Sequence, residues 1–199
     1  MIDIVLFSRS GDDVTLAEMS KRVAGPERRL IVFYSNSAVG NHLVSSVDHA
    51  DVKFVHAKVV SWGPAILSSL GTFFDRSSGL YLIDVDFLLT FSVDPDPFLS
   101  MDSPASFLAF DGRFDQTENG EWKYIFPTWD LCRISSDLLQ DDAFRNFVKF
   151  VDPVQDADGR YYAERYFFTH FRNLFKFECL FESRSAQSFH PLANNLVDR

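Results

Sequence analysis

The chain has little cysteine, no excess of basic charge and no long apolar run, and each shortage removes a class of protein. Its two cysteines, Cys132 and Cys179, lack the repeated spacing of a zinc site, and a single pair makes a poor disulfide framework. Both are expected as reduced, mostly buried thiols. Lys and Arg number 19 against 28 Asp and Glu, a net charge of −9, so the basic footprint of a nucleic-acid binder is missing. An anionic ligand would have to be met by a metal or by a local cluster of donors. No stretch approaches the roughly 20 apolar residues of a membrane span. The apolar run Ile2–Phe7 is too short for a signal peptide and is interrupted by Asp3. A soluble, cytoplasmic protein is the expectation. No linker, repeat or low-complexity tract divides the chain, so one domain is expected over residues 1–199.

What is present is apolar and rhythmic. Hydrophobic residues make up 46% of the chain, 22 of them phenylalanine, which favours a folded globule. Residues 2–7 read as a strand, followed by a turn at Ser8-Arg9-Ser10-Gly11 and a helix carrying Leu16, Met19 and Val23. Asp12 or Asp13 can cap that helix, and Gly25-Pro26 ends it. A strand at 30–34, a helix with Leu43, Val44 and Val47, and a strand at 52–60 follow. Trp62-Gly63-Pro64 opens a helix bearing Ile66, Leu67, Leu70 and Phe74, and residues 79–84 form the next strand. This alternation predicts a three-layer α/β/α domain with a mostly parallel central sheet. After residue 90 the pattern turns irregular. Strands are expected at 105–110, 122–126 and 129–134, with a hairpin tip over 111–121. A helix carrying Leu138, Leu139, Phe144, Phe147 and Val148 should start at Ser135 or Ser136, and a long aromatic helix should span 160–177. Its aromatics read as core, whereas an exposed aromatic face would mark a partner surface.

Asp84-Val85-Asp86 closes the apolar run Leu80 to Ile83 and is the most informative motif. In an extended segment the two aspartates point the same way. Two oxygen ligands on one side suit a hard divalent cation that also holds phosphate oxygens. Ligands of open α/β sheets bind beyond the carboxyl ends of such strands. The ordinary alternative is that one aspartate caps the following turn and the other is solvated.

The element order and the place of Asp84-Val85-Asp86, over residues 1–175, resemble the GT-A fold of nucleotide-sugar glycosyltransferases, whose small soluble members include virus-encoded ones. The resemblance implies a nucleotide-binding half over about 1–90, an acceptor half over about 91–182 and a tail over 183–199. It implies Mn²⁺ or Mg²⁺ on Asp86, with Asp84 meeting the ribose or, through water, the metal. Ser8, Arg9 and Ser10 would hold base and ribose, and Arg76 a phosphate or the sugar. His190, in Phe189-His190-Pro191, is the candidate third metal ligand, although the His-x-x-Gly-x-x-Lys pattern of one branch is absent. Asp158 is the favoured acidic residue to contact the acceptor or act as base, with Asp156 and Glu164 as alternatives. Trp129-Asp130 and Asp111 are further candidates on the acceptor side. The implied donor is a nucleoside-diphosphate sugar, foremost a UDP-sugar, and the acceptor a carbohydrate hydroxyl.

Two other readings compete. Tyr81 to Thr90 resembles the Asp-x-Asp strand of haloacid-dehalogenase phosphatases, but Phe87-Leu88 stands where that family has a Gly-Thr turn. The chain could also be a non-catalytic α/β interaction module with solvated carboxylates.

Overall fold

Apolar side chains on both faces of one sheet build two cores. In β1 (Ile2–Phe7), Val5 and Phe7 join one core and Ile4 and Leu6 the other, because successive strand side chains alternate. The same division runs through β2 (Arg28–Tyr34) and β4 (Gly79–Asp84), where Leu80 and Leu82 face away from Tyr81 and Ile83. A strand coated on both faces reads as an unbroken apolar run, as these segments do. The first core is closed by α2 (Gly63–Leu70), α5 (Ser136–Gln140), α6 (Asp142–Phe150) and α7 (Ala157–Phe171). The second is closed by α1 (Asp13–Val23), α3 (Val85–Thr90) and α4 (Asp96–Leu99). The outcome is the expected three-layer α/β arrangement. The computed structural model describes residues 2–10, 13–34, 52–57, 63–70, 79–116, 122–151 and 157–183, with side chains left aside at 13, 69–70, 114–116, 122–125, 157–161 and 181–183.

Among the described residues the sheet runs β3-β2-β1-β4-β7-β5-β6, with β8 also on β5. The added strands are β3 (Val52–His56), β5 (Phe107–Gln116), β6 (Trp122–Pro127), β7 (Leu131–Ser135) and β8 (Phe177–Ser183). β3, β2, β1 and β4 are parallel, and β7 then lies antiparallel against β4 with Ile83 opposite Leu131. Long β5 gives its first residues to β7 and its later ones to β6, while β8 runs parallel along its other edge.

The second half departs from expectation in three places. β5 continues past residue 110 to Gln116, taking part of the expected hairpin tip into the strand. The helix after Ser135 breaks at Asp141, whose carboxylate accepts the Phe144 N–H at 2.8 Å and starts a new helix. The aromatic helix stops at Phe171, and Phe177 onward forms β8 instead. Phe167 and Phe171 are core, but Tyr162 and Tyr166 are 63% and 60% exposed beside Phe150 at 86%. The expected helix around Leu43 lies outside the described residues.

Gly63 lets α2 start hard against the sheet. A Cβ there would come within 3.0 Å of Leu82 Cδ1 and 3.2 Å of Trp129 Cβ. Neither Cys132 nor Cys179 is in a disulfide, and burial pushes the Cys132 thiol up, so it stays protonated. No described helix is long and apolar enough to cross a membrane.

Candidate functional site

The strand order changes direction beside β1. The chain passes from β1 outward to β2 and β3, then returns to place β4 on the other side of β1. Such a switch point opens a crevice beyond the carboxyl ends of the two strands. Phe7 pairs with Asp84 at those ends, which brings Ser8-Arg9-Ser10 alongside Asp84-Val85-Asp86.

The two aspartates do not share a direction, which corrects the expectation from extended geometry. β4 ends at Asp84, and its carboxylate caps α3 by accepting the Asp86 N–H at 3.0 Å. Asp86 therefore sits in the first helical turn. Its carboxylate turns onto the loop after β1. Oδ2 accepts the backbone N–H groups of Arg9 and Ser10, each at 2.7 Å. Oδ1 accepts the hydroxyls of Ser8 at 3.0 Å and Ser10 at 2.8 Å. Two successive N–H groups converging on one oxygen form an anion-binding nest.

Arg9 points inward from the same loop. Its Nε lies 2.5 Å from Asp84 Oδ2 and a terminal nitrogen lies 3.5 Å from Asp130 Oδ1, both carboxylates being buried. Backbone geometry ties the pair together, since the Asp84 N–H donates to the Asp130 carbonyl at 2.7 Å. Behind Asp130 the charges continue. Arg113 on β5 faces Glu164 on α7 at 3.3 Å, and Glu164 also accepts the Trp129 N–H at 3.3 Å. Asp111 belongs to this cluster. Burial, then the neighbouring Asp130 charge, raises its carboxyl from 3.8 to about 7, with Glu164 adding a smaller push.

The expected site residues are thus distributed unevenly. Ser8, Arg9, Ser10, Asp84 and Asp86 meet at one crevice, with Asp130 behind Arg9 and Asp111 deeper. Trp129 is wholly buried among Phe107, Phe144 and Phe167, its ordinary role as core. Glu164, expected to pair along its own helix, faces Arg113 across the core. Asp158 falls in the first turn of α7, its side chain outside the described residues, and Asp156, Arg76 and His190 lie outside them altogether. Sequence reasoning missed Arg113. A charge directly after Gly112, in a strand running on from apolar residues, was its only local signal.

A divalent cation was expected on Asp84 and Asp86. As arranged, the donor set does not fit one. Both Asp86 oxygens are engaged by four protein donors, and the Arg9 guanidinium takes the cationic position beside Asp84 and Asp130. Among the described residues no group of three or more His, Cys, Asp or Glu is placed to hold a metal ion.

No family model and no curated protein sequence matches the chain. Solved structures do match in fold. HddC from Yersinia pseudotuberculosis is 10% identical, with a TM-score of 0.54 over 92% of this chain and 91% of that one. The same protein complexed with GMP-PN matches with a TM-score of 0.54 over 91% of this chain and 90% of that one. The 4-diphosphocytidyl-2C-methyl-D-erythritol synthase of Anaerococcus prevotii is 9% identical, with a TM-score of 0.52 over 100% and 96%. These likenesses overturn the GT-A glycosyltransferase expectation, its Asp-x-Asp vocabulary included, and lend no support to the phosphatase alternative. They show that the chain shares with these proteins its fold, a three-layer α/β arrangement around a largely parallel sheet.

Proposed function

We propose that the chain is a nucleotidyltransferase, an enzyme that moves a nucleoside monophosphate from a nucleoside triphosphate onto a phosphorylated small acceptor. The observation carrying this reading is the donor-rich loop Ser8-Arg9-Ser10 at the β1/β4 switch point. Backbone N–H groups and hydroxyls gathered there suit phosphate oxygens. The names of the fold neighbours support it, one solved with GMP-PN and one a diphosphocytidyl-compound synthase.

In this reading an oxygen of the acceptor phosphate attacks the α-phosphorus. The bond from that phosphorus to the bridging oxygen breaks, and pyrophosphate leaves with the electron pair. The chain's part is to bind and orient, with the loop holding phosphate oxygens and Arg9, aligned by Asp84 and Asp130, offering positive charge nearby. Mg²⁺ or Mn²⁺ would enter with the triphosphate, because the Asp84 and Asp86 carboxylates are engaged by protein donors.

Calorimetric titration with ATP, CTP, GTP and UTP, each with Mg²⁺, tests the donor half. A screen of sugar and polyol phosphates for pyrophosphate release tests the acceptor half. Binding of one triphosphate and acceptor-dependent release are expected. Absence of triphosphate binding to the wild type and to Asp86→Asn alike would end this reading.

A further inference from the structure

We infer that Asp86 is a built-in occupant of an anion site, its carboxylate filling the nest where a phosphate oxyanion binds and leaving when that ligand enters. The nature of the ligand rests on the nucleotidyl-transfer reading; the nest itself does not.

Four donors converge on this one carboxylate, two on each oxygen, at 2.7, 2.7, 2.8 and 3.0 Å. All four come from three consecutive residues and none carries a formal charge. Such a set is a receptor for an oxyanion rather than an ion-pair partner for a particular acid. Asp86 is not needed there to start its own helix. Asp84 is the N-cap of α3, so the Asp86 side chain is free of that duty. The position also allows exchange. Ser8 is buried at the base, but Arg9 and Ser10 are exposed and Asp86 is half-buried, so the mouth faces solvent. A change of rotamer would withdraw the carboxylate without moving the strand or helix behind it. Meanwhile Arg9, the loop's only cation, is held inward by Asp84 and Asp130, leaving uncharged donors at the rim.

The consequence runs opposite to a metal-ligand role. Removing a metal ligand weakens binding of a metal-bound phosphate, whereas removing an internal competitor strengthens binding of the phosphate itself. The test is calorimetry of the full chain with inorganic tripolyphosphate and with the four nucleoside triphosphates. Wild type, Asp86→Asn, Asp86→Ala and Asp94→Asn are compared, thermal melts confirming that each is folded. Tripolyphosphate should bind both Asp86 variants at least about tenfold more tightly than wild type, the equivalent of one charge-assisted hydrogen bond. Asp94→Asn, which removes an exposed charge elsewhere, should change little. Adding Ser8→Ala and Ser10→Ala to Asp86→Asn should return the affinity toward the wild-type value. Unchanged or weaker binding in both Asp86 variants would overturn the inference. So would an equal gain in Asp94→Asn, or indifference to the two serines, since either would reduce the effect to long-range charge. If the gain appears but no nucleotide is preferred over tripolyphosphate, the nest stands and the nucleotidyltransferase reading fails. If wild type binds a nucleotide and the Asp86 variants bind it less well, that reading stands and the internal occupant falls.

Discussion

Carboxylates around the crevice live in two environments. At the rim, Asp86 is half-buried and satisfied by hydroxyls and backbone N–H groups that water could equally serve. Behind Arg9, Asp84, Asp130 and Glu164 are sealed at 0, 1 and 0% exposure, and each has a specific cation in reach. Two aspartates separated by one residue therefore serve different ends. The inner one fixes a strand-to-helix junction and an arginine, while the outer one sits in a receptacle that admits exchange. A motif of two identical letters is here two devices, and burial separates them.

That contrast can be broken from its deep end first. Glu164→Ala should cost about 3–5 kcal/mol, because it leaves Arg113 buried without its carboxylate. Urea denaturation checks this, and a loss under 1 kcal/mol would place Glu164 with the rim.

Asp111 comes next, with a sign set by its raised carboxyl. Between its ordinary value of 3.8 and about 7, the folded chain keeps a proton that the unfolded chain releases. Stability therefore falls as pH rises through that window and levels off above it. Asp111→Asn should be more stable than wild type at pH 8, by at most about 4 kcal/mol, with the advantage vanishing near pH 4. Paired melts at the two pH values decide it, and a pH-independent difference would remove Asp111 from the inner group.

The rim should respond weakly. Asp86→Asn should alter stability by about 1 kcal/mol, since its donors can turn to water. Denaturation without added anions is the measurement, and a loss of several kcal/mol would make Asp86 structural. Smallest of all should be Arg22→Ala. It breaks a pair with Asp94 in which both side chains are largely exposed, worth about 0.2–1 kcal/mol. A salt titration of the melting temperature would register it, and a larger loss would show that exposure is a poor guide in this chain.

How much of this the sequence discloses depends on where each contact lies along the chain. β1, β2 and β4 stand out because strands buried on both faces leave unbroken apolar runs, and Gly25-Pro26 and Gly79 punctuate them. β8 does not. The five residues from Arg172 to Lys176 contain neither Gly nor Pro, so the aromatic pattern reads on as helix. The break at Asp141 is hidden likewise, because Leu138, Leu139 and Phe144 keep helical spacing across it. At the site, the membership of Ser8, Arg9, Ser10 and Asp84 is legible from a loop and a strand end. Their partners are not. Asp86 reaches across 77 residues to Arg9, and Arg113 finds Glu164 only through the packing of α7 on the sheet. The local clue that Asp84 caps a helix was there, in the acidic first turn and the Phe-Leu-Leu that follows it.

The arrangement of β5 has a consequence for the chain's birth. Its outer edge, from Phe107 to Arg113, is covered only when Phe177–Ser183 arrives as the last described strand. During synthesis those backbone donors and acceptors wait without their neighbour, an open template for another chain. A ribosome stalled before residue 177 would release a protein with its crevice written in full and one sheet border bare. Such fragments should be removed by chaperones or precipitate, so the arrival of β8, rather than the making of the crevice, sets when that sheet border is closed.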